Sequence, residues 1–231
     1  MNESYRIKNP RKKLRRMLHT ELGYVTHKYY GFKEQYLGPS PIKAPENNNK
    51  KLPPTYLNYF VRLKNREKMM QSIYYDDSEI DCEKIEEFFR LSLNFTIPFE
   101  TVPIITIITN QPLEECPEKC TISHAVTLYP EIISFAEYDY EKHLMRLEEK
   151  IASNKEFSKV EAMDIIFIMK NVKKHPIKTL THVCELLNQI NVDEDYKNQL
   201  KRAMRFVIHI YATNVEEIKK LEKIIFKDDS H

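Results

Sequence analysis

Residues 52–110 constrain the fold most, because they read strand, strand, helix, strand in that order. Within 56–63, Leu57, Tyr59, Val61 and Leu63 alternate with Asn58, Phe60 and Arg62. A period of two suits a strand with one face more buried than the other. A second strand is expected over 69–75, and the acidic residues Asp76, Asp77, Glu79 and Asp81 follow it at once. Asp81 can cap a helix over 82–95, whose buried stripe would be Ile85, Phe88, Phe89 and Leu93. Residues 102–109, Val-Pro-Ile-Ile-Thr-Ile-Ile-Thr, are apolar on both alternations, the pattern of a central strand covered on both faces. A further strand is expected around 132–135. The order implies an α/β layer with a sheet at its centre.

The flanking regions read differently. Residues 10–22 place Leu14, Met17, Leu18 and Leu22 at helical spacing, with Arg11, Lys12, Lys13, Arg15 and Arg16 on the other side. That apolar stripe is narrow and lacks aromatic anchors, so it suits a helix docked on protein better than one lying in a membrane. Pro39, Pro41, Pro45, Pro53 and Pro54 mark 38–54 as loop or linker, since proline removes backbone donors. Beyond Tyr138 the pattern is helical. Ser158-Lys-Val-Glu161 has capping-box spacing, Pro176 suits a first helical turn, and Asp193 and Asn214 can open two further helices. Five helices with short connections favour antiparallel packing. The expected division is a basic N-terminal helix over 1–22, an α/β core over 23–137 and a helical C-terminal part over 138–231.

Composition narrows the function. Of 231 residues, 42% are hydrophobic and 11% aromatic, enough for a substantial core. The three glycines, Gly23, Gly31 and Gly38, all lie in the first forty positions, so no downstream Gly-rich loop can cradle a nucleotide phosphate. No nucleotide cofactor is expected. No apolar run approaches the ~18 residues of a membrane span, and no apolar core follows the basic start. A cytoplasmic protein with no membrane association is the expectation. Cys82, Cys116, Cys120 and Cys184 lack a second close ligand pair for zinc and read as isolated thiols of a reducing compartment. His19, His27, His124, His143, His175, His182, His209 and His231 fall in no metalloprotease or deaminase spacing, and His209 reads as a satisfied boundary histidine.

Two readings of the acidic cluster stay open. Asp76, Asp77 and Glu79 at a strand end could converge on Mg2+, a hard cation that takes carboxylate oxygens and can activate water for phosphodiester cleavage. Alternatively, acids before a helix simply complement its dipole. The basic N-terminal run, through Arg11, Lys12, Lys13, Arg15 and Arg16, could meet DNA phosphate or be a solvated end.

Leu52-Pro-Pro-Thr55, Val61-Arg-Leu63, the helix from Asp81 and Pro103-Ile-Ile-Thr-Ile-Ile-Thr109 together resemble the PD-(D/E)XK nuclease superfamily, closest to its recombination-promoting nucleases and transposase-like proteins. The resemblance spans roughly residues 20–225. It implies a restriction-endonuclease-like mixed sheet flanked by helices, with a helical C-terminal extension. It also implies a Mg2+-dependent DNA endonuclease, for which this chain's own candidates as catalytic metal ligands are Asp76 and Asp77, with Glu79 a lesser one. The family's two acids would fall near Asn58 and Tyr74, and neither is a carboxylate. Either Asp76 or Asp77 serves instead, or the site is degenerate and the fold serves as a non-catalytic DNA- or protein-binding module. A third alternative is a helical interaction module with no nucleic-acid role.

Overall fold

A computed structural model of the chain describes residues 5–32, 35–39, 56–62, 68–96, 103–172 and 175–226. Most of the proline-rich segment, including Leu52-Pro-Pro-Thr55, lies outside them. In chain order the elements are α1 (Pro10–His19), α2 (Gly23–Tyr29), β1 (Gln35–Pro39), β2 (Tyr56–Arg62), β3 (Lys68–Tyr75), α3 (Cys82–Thr96), β4 (Pro103–Thr109), β5 (Cys120–Ser123), β6 (Val126–Leu128), β7 (Glu131–Ser134), α4 (Tyr140–Ala152), α5 (Lys159–Ala162), α6 (Asp164–Phe167), α7 (Pro176–Gln189), α8 (Glu194–Tyr211) and α9 (Val215–Ile225). They form two compact units. One joins Met1–Tyr29 to Asp139–His231, so the basic N-terminal helix belongs with the C-terminal helices; the other is Tyr30–Tyr138.

The second unit is α/β. Its five-stranded sheet has the order β1-β2-β3-β4-β7, antiparallel from β1 to β3 and parallel from β3 to β7. The sheet is therefore mixed. The parallel pair β3 and β4 is joined by α3, as parallel neighbours require a crossover. One face of the sheet meets α3. Tyr74, Ile105 and Ile107 of the strands pack with Ile80, Ile85, Phe88, Cys116 and Cys120. β4 is buried at every position but Ile104, which fits its doubly apolar sequence.

Three elements were not expected: α2, β1 and the β5–β6 hairpin. β1 lies in a stretch whose Gly38 and Pro39 suggested loop. It is an edge strand, where proline's missing donor costs no ladder bond. The ladder skips one residue between Tyr36 and Gly38, and Gly38 has φ 124, a conformation open to glycine. The hairpin β5–β6 forms a separate two-stranded sheet. Its residues are mostly exposed apart from Cys120, so no buried periodicity announced it.

The hairpin brings Cys120 to α3, where it bonds to Cys82, 38 residues earlier; the Cα atoms are 5.3 Å apart. The expectation of four isolated thiols therefore holds only for Cys116 and Cys184.

In the helical unit α1 packs on α8, and α7 on both α8 and α9. Leu180, Val183, Leu187, Leu200, Met204, Ile208, Ile218 and Ile225 are fully buried there. The caps match the sequence: Ser158 and Glu161 form a reciprocal capping box, and Asp193 and Asn214 accept from the amides of Tyr196 and Glu217. The helix expected after Ser158 is broken into α5, α6 and a 3-10 turn at Ile168–Asn171.

The N-terminal segment is tied to this unit. Tyr5 Oη donates to Glu222, and Arg6 donates to the carbonyls of Ala212 and Thr213. The Ile7 amide donates to His209 Nδ1 at 3.1 Å. His209 Nε2 lies 3.2 Å from Glu222 Oε1, which also accepts from Arg205 Nε at 2.6 Å. Because Nδ1 accepts, the proton sits on Nε2 and is donated to Glu222. His209 is thus a satisfied buried histidine. Among the described residues no helix is long and apolar enough to cross a membrane.

Candidate functional site

Parallel strands deliver their following loops to one edge of the sheet, the usual place for a site in an open α/β layer. Asp76 and Asp77 follow β3, Asn110 and Gln111 follow β4, and Ser134 ends β7. The Asp76 amide donates to Ile108 O at 3.1 Å, carrying the β3–β4 ladder one bond further and fixing the start of the loop.

The Asp76 carboxylate is fully engaged. Oδ1 accepts from the Ser78 amide at 2.8 Å and the Ser78 hydroxyl at 2.6 Å, and Oδ2 lies 2.9 Å from Lys84 Nζ. Lys84 also donates to Ser78 Oγ at 2.5 Å. Partial burial alone would raise this carboxyl, but the Ser78 donors and the Lys84 ammonium outweigh it and hold it below the usual carboxylate range. Lys84 reaches Asp76 because its own amide is capped by Asp81 Oδ1 at 2.8 Å, which starts α3 at the right point.

Asp77 points elsewhere, accepting from Asn110 Nδ2 at 3.0 Å. Glu79 is exposed. The Ile80 amide donates to Gln111 Oε1 at 2.6 Å, Gln111 Nε2 donates to Glu115 O at 3.0 Å, and Ser134 Oγ donates to Gln111 O at 2.5 Å. Gln111 thus ties the acidic loop to the turn after β4 and to β7.

Of the cluster expected to bind metal, Asp76 and Asp77 therefore have separate partners and Glu79 is exposed. Lys84 Nζ stands beside the Asp76 carboxylate, and Asp76 and Asp77 share no hydrogen-bond partner among the described residues. No group of three or more His, Cys, Asp or Glu side chains among the described residues is arranged to hold a metal ion.

The two positions at which the sequence resemblance would place acids, Asn58 and Tyr74, lie in the sheet. Asn58 pairs opposite Ser72 in the β2–β3 ladder. Tyr74 is buried, stacks on Phe88 with ring centres 4.1 Å apart, and donates its hydroxyl to Phe88 O at 2.8 Å. The opposite face of the sheet holds a polar row that sequence reasoning missed. Gln71 Nε2 donates to Thr106 Oγ1 at 2.7 Å, and Thr106 Oγ1 donates to Glu131 Oε2 at 2.9 Å. Gln71 inside an otherwise apolar strand was the visible signal for it.

The basic residues fall on α1. Arg11, Lys12, Lys13 and Arg16 are exposed and Arg15 is half-buried, while Met17 and Leu18 are buried. The first turn of α1 carries no acid, and Asn9 makes no side-chain cap. Cations at a helix N-terminus oppose its dipole, an unfavourable arrangement of roughly 0.3–1 kcal/mol each.

No protein-family model, curated protein or solved structure matches this chain.

Proposed function

We propose that the chain binds nucleic acid through the exposed face of α1, as a non-cutting relative of the nuclease-like fold its sequence resembles. The observation that carries this is the placement of Arg11, Lys12 and Lys13: exposed, in the first turn of α1 at the unfavourable end of its dipole, with Arg16 exposed in the last turn, and none of the four in an ion pair among the described residues. A phosphate backbone would offset that local repulsion and release counterions. On α2, which packs against α1, Tyr24 is 54% exposed, with Lys28 Nζ 4.5 Å from its ring centre, so an aromatic ring and a further cation lie on that helix. The engaged Asp76 favours binding over cleavage, because a Mg2+-dependent cut would first require Lys84 to leave that carboxylate.

The test is retention of duplex DNA as salt is raised. Replacing Arg11, Lys12, Lys13 and Arg16 together by Ala should weaken binding about 10- to 100-fold and lower the log–log salt slope by roughly 3. Equal slopes for both proteins would remove α1 from the interface. Plasmid cutting with Mg2+ or Mn2+ that disappears in Asp76→Ala or Asp77→Ala would replace this reading with an active endonuclease.

A further inference from the structure

We propose that Cys82 and Cys120 form a reversible dithiol–disulfide site that takes electrons from a small dithiol and, when reduced, releases the β5–β6 hairpin from α3. The proposal does not depend on nucleic-acid binding. It rests on three observations in the α/β unit.

First, the two sulfurs differ in access. Cys82 is exposed and is the first residue of the fifteen-residue helix α3, whereas Cys120 is 2% exposed. A thiolate from solvent can reach Cys82 and not Cys120. A helix N-terminus favours a thiolate on Cys82 once the bond opens, which makes the reduced form accessible.

Second, the bond is a covalent tether between the hairpin and α3. β5 and β6 pair only with each other, and of their residues only Cys120 is buried, with Leu128 packed against the same cluster. Opening the bond leaves the hairpin held to α3 by non-covalent packing alone, through Cys120 and Leu128.

Third, the bond adjoins the candidate site. Cys82 follows the Asp76–Asp81 loop directly and precedes Lys84 by two positions. Gln111, which ties that loop to the turn at Glu115, lies in the segment the bond closes. Cys116 is a poor rival for Cys120. It is buried, donates to Pro112 O at 3.4 Å, and its thiol is pushed up by burial and by the neighbouring Glu115 and Glu114 carboxylates.

In the balanced exchange, one thiolate of the dithiol attacks Cys82 Sγ. A mixed disulfide forms, the Cys82–Cys120 bond breaks, and its electron pair leaves on Cys120 Sγ, which takes a proton. The second thiolate then attacks the reductant's own sulfur and frees Cys82. The dithiol ends as a cyclic disulfide, and two electrons and two protons have passed to Cys82 and Cys120.

The full-length protein tests this. After mild oxidation, thiol titration in denaturant should find only Cys116 and Cys184 free, and all four cysteines after dithiothreitol. Folded protein treated with dithiothreitol should show amide exchange about ten-fold faster across β5 and β6, returning on reoxidation. Cys82→Ser should exchange fast in either condition, while Cys184→Ser should respond as the parent does. Four free thiols after oxidation, a bond the reductant cannot open in the folded protein, or exchange that ignores redox state would each overturn the proposal.

Discussion

Acidification from pH 7 to pH 5 should destabilise the helical unit, with the loss beginning near pH 6.5. His19 is 3% exposed, and burial first, then His27 and Arg15, pushes its pKa down to about 3. His209 is also lowered, chiefly by burial, with Glu222 opposing and Arg205 and Arg6 adding to the effect. In an unfolded chain each imidazole takes a proton near pH 6.5. Below that pH the unfolded state binds more protons than the folded one, so stability falls as pH falls. For a histidine that stays neutral in the fold, as His19 does, the slope is about 1.4 kcal/mol per pH unit. For His19 the window runs from about 6.5 to about 3, and two units of acidification remove roughly 2 kcal/mol. Glu222, lowered despite its burial by Tyr5, Arg205 and His209, gives stability that persists above the ordinary carboxylate pKa and is lost only at lower pH. It therefore adds nothing to the slope between 7 and 5. Protonating His209 would also place a hydrogen on Nδ1, the atom that now accepts from Ile7, and would undock Tyr5–Ile7. Urea unfolding at pH 7, 6 and 5, read by amide exchange in α8, checks both. His19→Gln and His209→Gln should each flatten the slope whatever their effect at pH 7. Slopes parallel to the parent's would show that neither histidine is held neutral by the fold.

The sheet was legible where its strands obey simple periodicities. The doubly apolar β4 follows from the cover on both its faces, and Asp81, Ser158, Asp193 and Asn214 announce helices because a cap is a local interaction; the alternation read in β2 does not carry through, since Phe60 and Val61 on opposite faces are both buried. β1 and the β5–β6 hairpin were missed for the converse reason. An edge strand with a bulge at Gly38, and a hairpin whose outward residues stay wet, have little burial to impress a pattern on. The Cys82–Cys120 bond is equally silent, since 38 residues of chain separate atoms that only the α3 crossover and the hairpin bring together.

The position of Asp76 and Asp77 was legible, and the side chains that hold them were not. Asp76 and Asp77 do end a parallel strand, as the order of elements required. Their partners, however, come from three other places: Lys84 from the first turn of α3, Asn110 from the end of β4, and Ser78 from the loop itself. Only Ser78 was readable locally, as a residue two positions beyond an Asp that can close a turn. Whether an acid meets a cation ligand or a lysine depends on where α3 begins, and Asp81 sets that start.

The position of α3 can be perturbed from its core side. Phe88 is 1% exposed and lies one helical turn beyond Lys84. Phe88→Ala should destabilise the α/β unit by roughly 3–5 kcal/mol, the transfer loss plus a cavity against the Tyr74 ring. Tyr74→Phe should cost less, about 1–2 kcal/mol, because it leaves Ser92 Oγ, now 2.7 Å from the hydroxyl, unpaired and fully buried. Met145→Ala, at a site 59% exposed, should be nearly neutral. Chemical denaturation measures all three. A cost for Phe88→Ala near that of Met145→Ala would mean that α3 is not docked on β3 and β4. The same variant probes the site, since Lys84 is held against Asp76 only while α3 keeps its seat. In folded Phe88→Ala, the Asp76 carboxyl, followed by NMR titration, should move up toward its ordinary range as the ammonium drifts away. An unmoved titration would show that Ser78 alone keeps that carboxylate ionised, and that the helix contributes nothing to the charge of the sheet edge.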